Sequence, residues 1–173
     1  HERMLTIWAN ACSSGQEVYS IAMLLRDSFP QLAGWTLRLI ASDLSSQVLQ
    51  KAREGVFNQT EIKRGLPLPL LLKYFQKEGL SWRIKAEIRN MVEFHEVNLV
   101  GTWPSLPAMD IIFLRNVLIY FSPETKKEIL AKARRALRPD GFLFLGGAET
   151  TLNLDMSFRR FQIGKTTCYR HDC

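Results

Sequence analysis

The sequence predicts an α/β fold built on a mostly parallel sheet, with an antiparallel hairpin near the C-terminal end and a small inserted subdomain. Three observations predict it. Short β-branched and aromatic runs alternate with stretches of helical periodicity across residues 5–55 and again across 92–145, the rhythm of strand, crossover helix and parallel strand. The rhythm breaks over 56–90. Two strand-like runs joined through Gly164 then close the chain as a hairpin.

Leu5-Thr6-Ile7-Trp8-Ala9 reads as the first strand and runs into the small-residue turn Asn10-Ala11-Cys12-Ser13-Ser14-Gly15. Val18, Ile21, Ala22, Leu25 and Phe29 recur at helical spacing, behind a capping box expected at Ser14-Gly15-Gln16-Glu17. Leu37–Ala41 is a second strand ending at Ser42-Asp43, and Ser45 can cap a helix that buries Leu44, Val48, Leu49 and Ala52 and stops near Gly55. In the insertion, Pro67 and Pro69 flank a leucine-rich turn or short helix, and Leu80–Ile84 with Glu87-Ile88-Arg89 alternates like a small hairpin. Val92–Val97 resumes the sheet and ends at Asn98-Leu99.

Asp110-Ile111-Ile112-Phe113-Leu114 is a strand buried on both faces, and it carries Arg115 and Asn116 at its C-terminal end. Ser122-Pro123-Glu124 supplies an N-cap, a first-turn proline and an early acid, so a helix starts directly after Arg115–Phe121 and runs over about 123–137. The turn Pro139-Asp140-Gly141 leads to the strand Phe142–Leu145, and Phe158–Phe161 with Thr166–Arg170 forms the edge hairpin.

At 173 residues the chain has the size of one domain, and 46% apolar with 23% charged residues is ordinary soluble composition. No apolar run approaches the roughly 20 residues of a membrane span, which argues against membrane insertion. Cys12, Cys168 and Cys173 show no CxxC pattern, which argues for a reducing cytoplasm and against a disulfide frame or a metal site. The formal net charge of +6 favours acidic partners, but Lys126-Lys127, Arg134-Arg135 and Arg159-Arg160 are dispersed. No aromatic-basic reading motif accompanies them, which argues against nucleic acid as a partner. The chain opens on His1, and we read it as a piece of a longer protein.

Four strand ends carry polar candidates: the Asn10–Gly15 turn, Asp43, Asn98, and Arg115 with Asn116. In open α/β sheets ligands bind at the carboxyl ends of the strands, and an acid closing the second strand is the usual partner of a ribose diol. The first turn, with Ala11, Ser13 and Gly15, is small enough for a ligand to approach backbone N–H groups at a helix N-terminus. This combination reads as a nucleoside-cofactor pocket. No GxGxxG follows the first strand and no GxxxxGK[ST] is present, so neither dinucleotide nor triphosphate binding is supported. Glu17 in the first helical turn is either a cap or the partner of a cationic group; S-adenosylmethionine carries one, whereas the pyrophosphate of NAD would be repelled. Arg115 and Asn116 as turn residues, with Tyr120 and Phe121 in the core, is the alternative for that segment.

The ordered set Ala11–Ser20, Ala41-Ser42-Asp43-Leu44, Phe94–Leu99 and Arg115–Phe121 resembles the CheR-type chemotaxis receptor methyltransferases over essentially the whole chain. Leu137-Arg138-Pro139-Asp140-Gly141 with Gly146 and Glu149 fits the same family. The resemblance implies a Rossmann-like S-adenosylmethionine-dependent methyltransferase that modifies glutamate side chains on the cytoplasmic helices of chemotaxis receptors and releases S-adenosylhomocysteine. It implies Glu17 as the ligand of the methionine moiety and Asp43 as that of the ribose. Asn98, Leu99, Arg115 and Asn116 match the other cofactor-contacting positions, and Arg115 and Tyr120 match the catalytic positions facing the transferred methyl and the acceptor carboxylate. Gln16 and Val18 depart from the family's usual acid and proline. The family's N-terminal helical domain is absent from this chain, and residues 56–90 correspond to its small β-subdomain, where the short, glycine-poor loop around Gln76–Leu80 reads against a peptide tether.

Two other classes stay open on the residues alone. A non-catalytic S-adenosylmethionine-binding signalling module would keep the pocket, although retention of both Arg115 and Tyr120 favours an enzyme. A nucleic-acid methyltransferase would suit the positive charge, but Asn116-Val117-Leu118-Ile119 lacks the prolines that usually accompany base methylation.

Overall fold

The computed structural model describes residues 3–171, so a structural view of Cys173 lies outside the described residues. Ten strands and six α-helices follow one another as β1 (Met4–Asn10), α1 (Gln16–Ser28), β2 (Thr36–Asp43), α2 (Ser46–Glu54), β3 (Val56–Asn58), α3 (Gln59–Lys63), α4 (Leu68–Tyr74), β4 (Phe75–Glu78), β5 (Ser81–Ile84), α5 (Ala86–Arg89), β6 (Val92–Glu96), β7 (Met109–Leu114), α6 (Pro123–Ala136), β8 (Leu137–Leu145), β9 (Phe158–Ile163) and β10 (Thr166–His171). Seven strands form one sheet in the order β6-β2-β1-β7-β8-β10-β9. The first five are parallel, and β9 and β10 add an antiparallel edge, as expected.

The chain leaves β1 toward β2 and β6, then returns to build β7 and β8 on the other flank of β1. The strand order therefore reverses between β1 and β7, and that crevice is where an open α/β sheet takes its ligand. Each face of the sheet has its own core. Ile7, Ala9, Leu39 and Ala41 pack with Val18, Tyr19 and Ala22 of α1 on one side, while Trp8, Ile40, Ile112 and Leu114 pack with Ile129, Leu130 and Ala133 of α6 on the other.

Residues 56–84 supply a separate three-stranded sheet in the order β3-β5-β4. Its Phe57, Phe75 and Ile84 join the α1-side core, so the small sheet is packed against the main one through shared apolar side chains. Asp27 of α1 also pairs with Lys73 of α4 and accepts from the Tyr74 hydroxyl.

Several local expectations are corrected. The hairpin partner of β5 is β4, and Glu87–Arg89 is a helical turn that buries Ile88; three alternating residues fit one turn as well as a strand. Leu44 is 63% exposed because it precedes α2 on the loop side, while Leu49 and Ala52 are buried. Phe29 follows the end of α1 and is exposed, and Tyr19 and Met23 take the core positions. No capping box forms at Ser14: Gly15 occupies the N-cap in a left-handed conformation, the Ser14 hydroxyl donates to Gln16 Oε1 at 2.7 Å, and Glu17 is drawn elsewhere. The turn at Pro139–Gly141 lies inside β8 as an irregularity between the Leu137 and Phe142 pairings, which accommodates a proline that cannot donate to the ladder.

Candidate cofactor and active site

The loop after β1 is wound tightly. Ala11, Ser13 and Gly15 all have positive φ, at 48°, 51° and 92°. For the two non-glycine residues such backbone strain costs about 1–3 kcal/mol each. It is held by specific bonds: Cys12 N donates to the Ser42 carbonyl at 2.9 Å, and Ser13 N donates to Asp43 Oδ2 at 3.0 Å. A side chain at Gly15 would meet the Tyr19 ring at 3.1 Å and Ala52 Cβ at 3.3 Å, so both conformation and space require glycine there.

Asp43 closes β2 and ties two loops together, because its second oxygen accepts from Ser45 N at 3.1 Å. Asn10 closes β1 in register with Ser42, the residue before Asp43. Its side chain is 1% exposed, Oδ1 accepts from the Ser42 hydroxyl, and Nδ2 has no partner among the described residues. A buried donor left without an acceptor costs about 1–3 kcal/mol unless something supplies one. Asn98 is exposed and its Oδ1 accepts from Val100 N, whereas Leu99 is buried and its carbonyl accepts from Trp103 Nε1 and Lys132 Nζ.

Across the crevice, Arg115 directly follows β7 and reaches Glu17 in the first turn of α1, Nη1 to Oε2 at 2.5 Å. These residues are 98 positions apart and flank the switch point from its two sides. Asn116 adopts φ 59°, and Leu118–Tyr120 form a short 3-10 turn. Tyr120 stands 78% exposed and not in the core, while Leu118 beneath it is buried. On the flank of Arg115 toward the hairpin, a cavity of about 690 Å³ is lined in part by Gly146, Glu149, Arg160 and Lys165.

The structure thus brings Ala11, Ser13, Gly15, Glu17, Asp43, Arg115 and Asn116 to adjoining strand ends. Two residues that the sequence analysis named without assigning them a role also shape this region. Asn10 had a visible signal, a carboxamide closing a buried strand. Glu149 was named only through the family resemblance, and most of its partners are distant in sequence: its carboxylate accepts from the backbone N–H groups of Asn116, Val117, Leu118 and Gly146 at 2.7–2.9 Å, and more weakly from Ile119 at 3.4 Å.

With this geometry in place, comparison with known proteins is decisive. The family described as "CheR methyltransferase, SAM binding domain" matches residues 1–167. The chain belongs to that CheR family. It is 40% identical over 171 residues to chemotaxis protein methyltransferase 1 of Pseudomonas aeruginosa, covering 96% of this chain and 62% of that protein. It is 39% identical over 170 residues to the Escherichia coli chemotaxis protein methyltransferase, covering 94% of this chain and 57% of that protein. This CheR-family chain therefore spans about three-fifths of the length of these relatives. Among solved structures it is similar in fold to a TehB-like SAM-dependent methyltransferase from Corynebacterium glutamicum, with TM-score 0.55, 12% identity, and coverage of 96% of this chain and 78% of that one. A glycopeptide N-methyltransferase, MtfA, solved with S-adenosylhomocysteine, gives TM-score 0.54 at 13% identity, covering 97% of this chain and 54% of that one.

The cofactor of the CheR domain is S-adenosylmethionine, and the residues present suit it. Acids at Glu17 and Asp43 offer acceptors to a cationic amino-acid moiety and a ribose diol, and the orphaned Asn10 amide is a buried donor beside them. Among the described residues no group of three or more His, Cys, Asp or Glu could hold a metal ion. Among the described residues no helix is long and apolar enough to cross a membrane.

Proposed function

We propose that the protein transfers a methyl group from S-adenosylmethionine to glutamate side chains on the cytoplasmic helices of chemotaxis receptors, giving glutamate methyl esters and S-adenosylhomocysteine. The observation that carries this reading is the Glu17–Arg115 pair at the switch point. One member suits a cationic cofactor group, the other an anionic acceptor. The two halves of the pair come from elements on opposite sides of one crevice, as a group-transfer site requires.

The chemistry asks little of the protein beyond placement. A glutamate carboxylate is already ionised at neutral pH, so no general base is needed. Bound S-adenosylmethionine supplies a methyl group activated by a sulfonium. Asp43 and Asn98 hold its nucleoside end and Glu17 its amino-acid end, with Ala11, Ser13, Gly15, Leu99 and Asn116 completing the wall. Arg115, on exchanging Glu17 for the acceptor, fixes the incoming carboxylate by charge-assisted hydrogen bonds. Tyr120, with its phenol in solvent, orients one carboxylate oxygen. Esterification removes the acceptor's charge and with it the attraction to Arg115, which favours product release. Alignment of this kind accounts for a large part of the rate in such reactions. The setting implied is the cytoplasm.

Incubation with methyl-labelled S-adenosylmethionine and receptor cytoplasmic fragments tests the proposal. Label released as methanol by mild base is expected, and Arg115→Ala should abolish it while cofactor binding weakens but remains measurable. Label on nucleic acid, or no label anywhere despite cofactor binding, would overturn it.

A further inference from the structure

We propose that Glu149 is a positioning residue: its single carboxylate sets the conformation of the Asn116–Ile119 backbone and thereby the aim of Arg115 and Tyr120. The inference rests on the functional reading above for what those two side chains do. Its own basis is the bond pattern. Oε2 accepts from Asn116 N and Gly146 N, each at 2.7 Å, and Oε1 accepts from Leu118 N at 2.7 Å, Val117 N at 2.9 Å and Ile119 N at 3.4 Å.

Successive N–H groups turned inward by a left-handed residue form a concavity that binds anions. Here Asn116 at φ 59° opens that concavity, and its anion is part of the same chain. Glu149 sits 33 residues downstream of Asn116, just past the end of β8, so it bridges the ends of two neighbouring parallel strands. With its lone pairs occupied by backbone donors, the carboxylate anchors the loop instead of competing for Arg115, which pairs with Glu17. Gly146 makes the approach possible. A Cβ there would stand 2.7 Å from Glu149 Oε2, 2.9 Å from Asn116 N and 3.0 Å from Asn116 Oδ1.

A glutamine at this position has one carbonyl oxygen and one NH2 group. Whichever way it turns, the NH2 faces at least two backbone donors, so Glu149→Gln breaks the arrangement while keeping the side chain's size. A residue that merely stabilised the fold would lower the folded fraction without changing what Tyr120 contributes. A positioning residue makes the two effects dependent, which a double-variant cycle resolves.

The experiment measures kcat/KM for receptor-fragment methylation in Glu149→Gln, Tyr120→Phe and the double variant. It also measures S-adenosylhomocysteine affinity by calorimetry. Each single variant is expected to lose about tenfold or more, and the double variant to lie within about threefold of Glu149→Gln alone. Losses that multiply, or an unchanged kcat/KM in Glu149→Gln, overturn the proposal. If Glu149→Gln does not fold, Gly146→Ala takes its place in the cycle, because it displaces the carboxylate without removing it. Should the wild-type protein methylate no receptor fragment, the functional reading fails on its own. The affinity arm then decides for Glu149: weaker S-adenosylhomocysteine binding, through the released Asn116, supports it and unchanged binding overturns it.

Discussion

Cys12 sits in the wound turn after β1, buried at 4% exposure beside Asp43 and Glu17. Burial pushes its thiol up from an ordinary 9.0 to about 12, and the two carboxylates add to the shift. A group whose folded pKa is raised contributes stability that is fully present below its unfolded value and is lost as pH rises through the folded one, here between about pH 9 and 12. The expected outcome is that Ellman's reagent at pH 8 modifies Cys12 only after unfolding, together with the equally buried Cys168. Fast modification of Cys12 in the folded protein would contradict this placement. At the same scale, Asp43, Arg115 and Asn116 were legible as candidates because charged and amide groups at the ends of buried strands are out of place in a core, and Glu17 was legible as an acid in the first turn of a helix beside them. That Glu17 and Arg115 bind each other was not legible, since nothing local links positions 98 apart. Glu149 was named only through the family resemblance, and its role stayed hidden for the same reason: apart from Gly146, its partners lie 30 to 33 residues upstream, and they are backbone groups that any residue would carry.

The elements divide along the same line. The Ser122 hydroxyl accepts from Thr125 N at the start of α6 with Pro123 at the first position, and the Ser45 hydroxyl accepts from Val48 N at the start of α2. Both caps were predictable, because an N-cap is decided within four residues. Ser122→Ala should destabilise the protein by about 0.5–2 kcal/mol, read as a lower urea midpoint with an unchanged slope. A midpoint equal to that of the wild type would show that the cap is not used. The box expected at Ser14 failed because its terms were satisfied by other partners: Gly15 supplies the left-handed N-cap, and Glu17 is held by Arg115 across the crevice. The strand expected over Glu87–Arg89 failed because a three-residue pattern carries too little periodicity to separate a strand from one helical turn.

At the scale of the molecule, the two cores meet on either face of the central strands, and the small sheet shares the α1-side core. Ile84 of β5 is fully buried in that shared core. Ile84→Ala should therefore lower the stability of the whole by about 2–5 kcal/mol in a single cooperative transition. A separate early transition confined to the small sheet would show instead that it unfolds by itself. Local periodicity, turn chemistry and residue type were enough to determine the alternation of strands and helices, the C-terminal hairpin and the polar groups at the strand ends, because each is a property of neighbouring residues. Only the tertiary structure decided that β1 and β7 lie side by side at the reversal of strand order, that Glu17 meets Arg115 there, and that one carboxylate holds the backbone between Arg115 and Tyr120. These depend on which distant segments the closing sheet brings together, and that choice is made by packing over the whole chain.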